Sequence, residues 1–307
     1  IRGYLFFYND ICDQGKYFTK VRDVKREDIS KPFLDMYKKY SESDSYIKPY
    51  YMKLSKGDRI KRFGEQIQTF KKYASKPKVV FEIMRLLKEK RAKDSFIKKN
   101  SKDKIIDKKY IYMALHYQPE ATTVPLGGIF ADQYLIVEML SHCVPDDIYV
   151  CVKEHPSQGI RGGKNRKFFE SISNLRNVIL APTFYDSGIL LEKSIAIATC
   201  TGTIAFEAMF KSKPALLFGD YIYNDLPNAI HVKTYADCCD AMKAIEKGMI
   251  LNEQEKLDYI GTLDTFKYHA EYIIEEKEYM LSNGLDPRDN NENLYKMLMD
   301  MVAYAED

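Results

Sequence analysis

Ser194-Ile195-Ala196-Ile197-Ala198-Thr199-Cys200-Thr201-Gly202-Thr203, with Glu207 one turn further on and Pro214-Ala215-Leu216-Leu217-Phe218-Gly219 beyond it, decides the fold. It reads as strand, tight turn, short helix, strand. A helix start rich in Thr and Gly presents free backbone N–H groups at a positive dipole end, which suits a phosphate. Thr203 and Glu207 are four apart, so they share a helix face with roughly 5–6 Å between them along the axis. That is the reach from a nucleotide's phosphate to its ribose hydroxyls. Taken alone, the same residues also make an ordinary capped helix with Glu207 facing solvent.

A second stretch adds weight. Asp147-Ile148-Tyr149-Val150-Cys151-Val152 reads as a buried strand ending in Lys153-Glu154-His155-Pro156. Open parallel sheets bind ligands outside the carboxyl ends of their strands. His155 therefore belongs on the ligand edge, beside the Thr-Gly-Thr turn. Pro156 restricts it to an extended backbone, which fixes the direction of the imidazole. Held there, the imidazole can donate to a phosphate oxygen and stabilise charge on a leaving nucleotide. A lone histidine capping a loop is the plainer alternative.

Around these motifs the chain from residue 109 alternates strand and helix, the pattern of a parallel sheet. Strands are expected at Tyr110–Leu115, Ile148–Val152, Val178–Leu180, Ile195–Ala198 and Ala215–Phe218, with a short one near Ile230–Val232. Helices are expected near 129–142, 164–174, 185–192, 203–211, 236–248, 253–281 and 291–304, with Asn283-Gly284 and Pro287 interrupting the last two. The first strand leads into His116-Tyr117-Gln118-Pro119-Glu120 and on to Gly127-Gly128. Loops of this length inside an α/β unit are often functional, and the paired glycines permit close backbone approach. Gln118 and Glu120 can serve a donor's sugar or simply face solvent. In the loop after the third strand, Phe184 or Tyr185 can stack on a nucleobase or plug the core. Arg161, Lys164 and Arg166 can neutralise a phosphate or a sugar carboxylate.

The 307 residues are 45% hydrophobic and 30% charged, ordinary for a globular protein. No apolar run approaches the roughly 18–20 residues of a membrane span. The six cysteines, Cys12, Cys143, Cys151, Cys200, Cys238 and Cys239, show no metal-ligand spacing and read as reduced thiols in a cytoplasmic protein. A net charge of +3 conceals an asymmetry: residues 51–109 hold 20 Lys/Arg against 7 Asp/Glu, the remainder 27 against 37. Such a segment is most simply a solvated basic helix face; it can also attract anionic lipid, acidic glycan or nucleic acid.

The ordered set of His116-Tyr117-Gln118-Pro119-Glu120 with Gly127-Gly128, Lys153-Glu154-His155-Pro156 and Thr201-Gly202-Thr203…Glu207…Lys213-Pro214 resembles bacterial capsule and surface-polysaccharide biosynthesis proteins, among them Kdo-transferase-like enzymes of the GT-B glycosyltransferase fold. The resemblance covers about residues 109–235 and implies a Rossmann-like, nucleotide-sugar-binding half. It implies that His155, with Lys153 and Pro156, contacts the donor phosphate, that Thr201, Gly202 and Thr203 hold it, and that Glu207 binds ribose. Tyr185, Gln118 and Gly128 complete the expected donor site.

The resemblance also implies metal-independent transfer, no cofactor, a nucleotide-sugar donor, with a CMP-sugar such as CMP-Kdo favoured over a UDP-sugar, and a glycan or lipid-linked acceptor. The expected organisation is residues 1–108 as the tail of an incomplete N-terminal domain with a basic connector, 109–285 as the Rossmann-like domain, and 286–307 as a C-terminal helix. The catalytic base is expected in the missing part, with Arg2, Asp10 or Glu120 lining the cleft. Localisation is expected to be cytoplasmic, peripheral on an anionic membrane, with no nucleic-acid partner. Three alternatives compete: a teichoic-acid-type CDP-glycerol or CDP-ribitol phosphotransferase, which typically carries Asp-Tyr-Ser-Ser where Thr-Gly-Thr stands here; a nucleotide-sugar epimerase; and a non-catalytic anion-binding module built on the basic segment.

Overall fold

The computed structural model describes residues 21–42, 76–101, 107–156, 158, 164–249, 251–270 and 285–306. Six strands form one parallel sheet: β1 (Lys109–Ala114), β2 (Ile148–Lys153), β3 (Val178–Leu180), β4 (Ala196–Thr199), β5 (Ala215–Leu217) and β6 (Ala229–His231). Each begins and ends within a residue of the span expected from its apolar run. Their order across the sheet is β3-β2-β1-β4-β5-β6. The chain winds outward from β1 in one direction and from β4 in the other, so a crevice opens above the carboxyl ends where those two strands adjoin. Met113 sits in register with Val152 on one side and Ala198 on the other, which levels the three strand ends that frame the crevice.

Side chains alternate across the pleat and feed two cores. Tyr110, Tyr112, Cys151, Ile197 and Leu217 face one layer, formed by α1 (Lys31–Glu42), α5 (Ser187–Lys193), α6 (Ile204–Phe210) and α8 (Glu253–Thr265). Ile111, Met113, Val150, Val152, Ala198 and Leu216 face the other, formed by α2 (Pro77–Asn100), α3 (Gln133–Cys143), α4 (Arg166–Ser173) and α7 (Tyr235–Glu246). A last helix, α9 (Pro287–Glu306), follows. The result is an α/β fold with helices on both faces of a Rossmann-like sheet.

Two expectations about helix ends are corrected. The charged segment expected to be helical over 253–281 stops at Thr265. Lys267 turns back to donate to the Asp264 carbonyl at 2.7 Å, and Phe266 closes the helix through its N–H to Thr262. Residues 271–281 lie outside the described residues. Pro287, expected to interrupt a helix, is instead the first residue of α9, where its missing N–H costs nothing.

Residues 21–42 precede the sheet by some seventy positions yet are part of its packing. Phe33 is fully buried. The Ser30 N–H and hydroxyl both donate to Asp264 at 2.6 Å, and the Val24 N–H donates to Asp258 at 2.9 Å. Val24 lies so close to α8 that a Cβ on Gly261 would fall 2.5 Å from its Cγ1. Only glycine permits that approach.

Candidate functional site

A cleft of about 830 Å³ lies along the carboxyl edge of β1, β2, β4 and β5. Its wall includes Lys153, His155, Pro156, Thr201, Gly202, Thr203 and Glu207 from the two motifs, together with His116, Glu120, Thr122, Tyr221 and Tyr223. The two sequence motifs, about fifty positions apart, thus face one space because β1 inserts between their strands and brings its own loop up beside both.

The Thr-Gly-Thr turn is built differently from the sequence expectation. The Thr201 N–H donates to His116 Nε2 at 3.0 Å, and the Gly202 N–H donates to Thr199 Oγ1 at 3.2 Å. These two amides, expected to be free for a phosphate, are satisfied internally. The Thr201 hydroxyl donates to the Thr122 carbonyl at 2.6 Å, tying the turn to the long loop after β1. His116 is fixed in turn by its own N–H, which donates to Gln133 at 2.8 Å, and by Lys164, which donates to its carbonyl at 3.0 Å. Burial beside Lys164 and His155 holds the His116 imidazole down to about 4, so it is neutral and Nε2 is an acceptor. The sequence showed His116 at a strand end, but nothing in its spacing revealed a contact across the sheet to position 201.

Two titratable side chains of the cleft stand without hydrogen-bond or ion-pair partners among the described residues. The Lys153 ammonium, on a side chain only 2% exposed, makes no hydrogen bond or ion pair among the described residues. Burial holds it down to about 8, partly offset by Asp186. Glu207 likewise has no hydrogen bond or ion pair among the described residues, and burial pushes its carboxyl up to about 8. Both side chains line the same cleft, so both terminal groups are open to whatever occupies it. His155 lines the same cleft, with the Tyr117 ring edge-on at 6.0 Å and its imidazole held down to about 4 by burial, Lys153 and Lys164.

Other residues considered for the site lie elsewhere. Gln118 is locked to Gln158, to the Ala131 carbonyl and to Lys164, all outside the cleft wall. Gly128 adopts φ +53° beyond the wall; Gly127 makes the close approach, since a Cβ there would meet Thr123 O at 2.6 Å and Cys200 Sγ at 2.7 Å. Tyr185 packs against the α5–α6 core, and Phe184 is 88% exposed. Arg166 pairs with Glu170 at 2.6 Å along the outside of α4. Lys164 is buried behind His116 as a brace. Glu120 does line the cleft. Arg2, Asp10 and Arg161 fall outside the described residues. Among those described, no cluster of His, Cys, Asp or Glu is arranged to hold a metal ion. No described helix is long and apolar enough to cross a membrane.

The sheet order and the crevice at its switch point define a Rossmann-like α/β domain with a polar cleft at the carboxyl edge of its sheet. The chain belongs to the capsule polysaccharide biosynthesis protein family, which matches residues 44–226. No curated protein matches it. Among solved structures it is similar to KpsC, a beta Kdo 2,7 transferase of Thermosulfurimonas dismutans, at 16% identity and a TM-score of 0.39, covering 64% of this chain and 60% of that one. It is similar also to the S. aureus MnaA-UDP co-structure, at 18% identity and a TM-score of 0.34, covering 56% and 46%. The chain spans about half the length of such structures.

Proposed function

We propose that this chain forms the donor-binding half of a GT-B glycosyltransferase acting in surface or capsular polysaccharide synthesis. The observation that carries the reading is the presence, in one cleft, of a Lys153 ammonium and a Glu207 carboxyl that have no partner among the described residues, with His155 in the same wall. A nucleotide satisfies both ends at once. Its phosphate gives Lys153 a counter-ion and His155 an acceptor, and its ribose diol gives Glu207 hydroxyl partners.

In this reading Lys153 and His155 offset the charge that grows on the phosphate as the sugar leaves, and no cofactor is required. The Thr201-Gly202-Thr203 turn, braced by His116, shapes the floor beneath the phosphate instead of donating its first two amides. The donor is a CMP-sugar, an acidic one such as CMP-Kdo, and the acceptor a growing glycan or lipid-linked chain. The outer face of α2, which exposes Phe81 and Met84 among basic residues, suits the cytoplasmic surface of an anionic membrane.

Calorimetric titration with CMP, CDP, UMP and UDP tests the reading. Cytidine-selective binding that is lost in both His155→Ala and Glu207→Gln is the expected result. Binding that survives both substitutions overturns the assignment of the cleft.

A further inference from the structure

Helix α2 contributes a buried charge to the sheet domain, and that charge meets the residue next to His155. Lys93 is 3% exposed on the inner side of α2, and its ammonium lies 2.5 Å from Glu154 Oε1, which is equally sealed. Sixty-one positions separate the two in the chain. Glu154 is the first residue beyond β2, set between Lys153 and His155.

Several influences act on the Glu154 carboxyl, among them its neighbour Lys153, with which it interacts electrostatically. Burial and Asp94 of α2 push it upward; Lys93 and, from the loop just before α4, Lys164 pull it down. Lys93 alone touches it through a hydrogen bond, so Lys93 decides whether a carboxylate can persist there. A buried carboxylate stripped of its counter-ion takes up a proton or moves toward water. Either response changes the field and the packing at His155, which follows Glu154 directly in the chain.

We propose that Lys93 is a positioning residue for the donor cleft: by pairing with Glu154 across the α2–β2 contact, it fixes the Lys153-Glu154-His155-Pro156 turn and so sets the place of the His155 imidazole. Its effect on ligand affinity rests on the reading of the cleft as a nucleotide site; its effect on His155 does not.

The test uses the whole chain labelled at histidine nitrogen. His155→Ala assigns the His155 signals among the five histidines. Lys93→Met is expected to displace the His155 imidazole signals and to make them drift with pH across neutrality, as Glu154 titrates without a counter-ion. Lys93→Arg, which restores a donor, is expected to return them toward wild type. The neutral pair Lys93→Met/Glu154→Gln removes both charges, is expected to remain folded even where the single variant does not, and is expected to lose the added drift, leaving only the pH response of the wild type. Lys88→Met, on the exposed side of the same helix, is the control and leaves them unmoved.

CMP affinity measured in parallel is expected to fall about tenfold to a hundredfold in Lys93→Met, the cost of misplacing a binding group by an ångström or so, and to recover with arginine. Wild-type His155 signals in Lys93→Met, or the same pH drift in Lys93→Met and in the neutral pair, overturn the proposal. If the wild-type chain binds no CMP, the nucleotide reading fails on its own, while the histidine signals still decide the role of Lys93.

Discussion

The Nε2 of His116, at the end of β1, accepts the backbone N–H of Thr201, at the end of β4, across 3.0 Å. Thr199 Oγ1 lies 3.1 Å from the same nitrogen and accepts from Gly202, so one neutral imidazole organises the whole turn between β4 and α6. Strands β1 and β4 are neighbours in the sheet although about eighty positions apart in the chain. That adjacency lets a loop residue of one strand finish the turn of the other.

Replacing His116 therefore removes an acceptor from a buried amide. His116→Ala is expected to destabilise the fold by about 1–3 kcal/mol, the cost of leaving such a group unpaired. The pH dependence has a definite sign. The imidazole ionises near 4 in the fold against about 6.5 in the unfolded chain. Its stabilising contribution is thus complete above 6.5 and is lost as pH falls toward 4. Denaturant unfolding of wild type and His116→Ala over that window checks it: the gap between the two should narrow as the solution is acidified.

Glu207 has the opposite sign. Its carboxyl is pushed from 4.5 to about 8 by burial. The folded state thus holds a proton that the unfolded state releases, and stability falls as pH rises between those values. Glu207→Gln is expected to stabilise the ligand-free protein at pH 8 by about 1–2 kcal/mol, less than the full shift implies because the side chain opens on the cleft. A thermal melt series of the two proteins against pH reads this directly. A variant less stable than wild type at pH 8 would contradict the unpaired state of the carboxyl.

Lys153 gives a calorimetric signature. An anion beside its ammonium favours the charged form and raises a pKa that burial now holds near 8. Phosphate binding just above pH 8 should accordingly take up a proton. Titrations of CMP at that pH in two buffers of different ionisation enthalpy will differ in apparent heat, and Lys153→Met abolishes the difference.

The glycines around the turn separate into two kinds. A Cβ on Gly202 would lie 2.6 Å from Thr199 Oγ1 and 3.0 Å from His116 Nε2; one on Gly127 would strike the Thr123 carbonyl. Alanine at either position is expected to cost about 1–3 kcal/mol by overpacking, with Gly202→Ala also disordering the His116 contacts. Gly128 has open space around its Cβ position but φ +53°. Gly128→Ala is expected to cost only about 1 kcal/mol, from backbone strain alone. Chemical denaturation of the three variants ranks them.

The sheet was legible because its strands are short apolar runs bounded by turn residues, and such runs form strands wherever they are buried on both faces. The Lys-Glu-His-Pro and Thr-Gly-Thr motifs could be assigned to one edge for the same reason, since every strand of a parallel sheet ends on the same side. Helix ends were less legible. The stop at Thr265 depends on Lys267 reaching back to Asp264, a choice between helical continuation and a side-chain cap that periodicity does not encode.

The roles of Tyr185, Gln118 and Gly128 could not be read from residue type. An aromatic or an amide near a strand end is equally suited to core, brace or ligand, and burial decides among them. The sequence by itself determined the parallel α/β class, the strand positions and the edge on which the charged motifs gather, because these follow from local hydrophobic pattern and strand direction. Only the tertiary structure decided that His116 completes the Thr201 turn, that Lys93 reaches Glu154, and that Lys153 and Glu207 share one cleft unpaired among the described residues. Those facts turn on which distant segments become neighbours, and that is fixed by sheet order and by the packing of helices on its two faces.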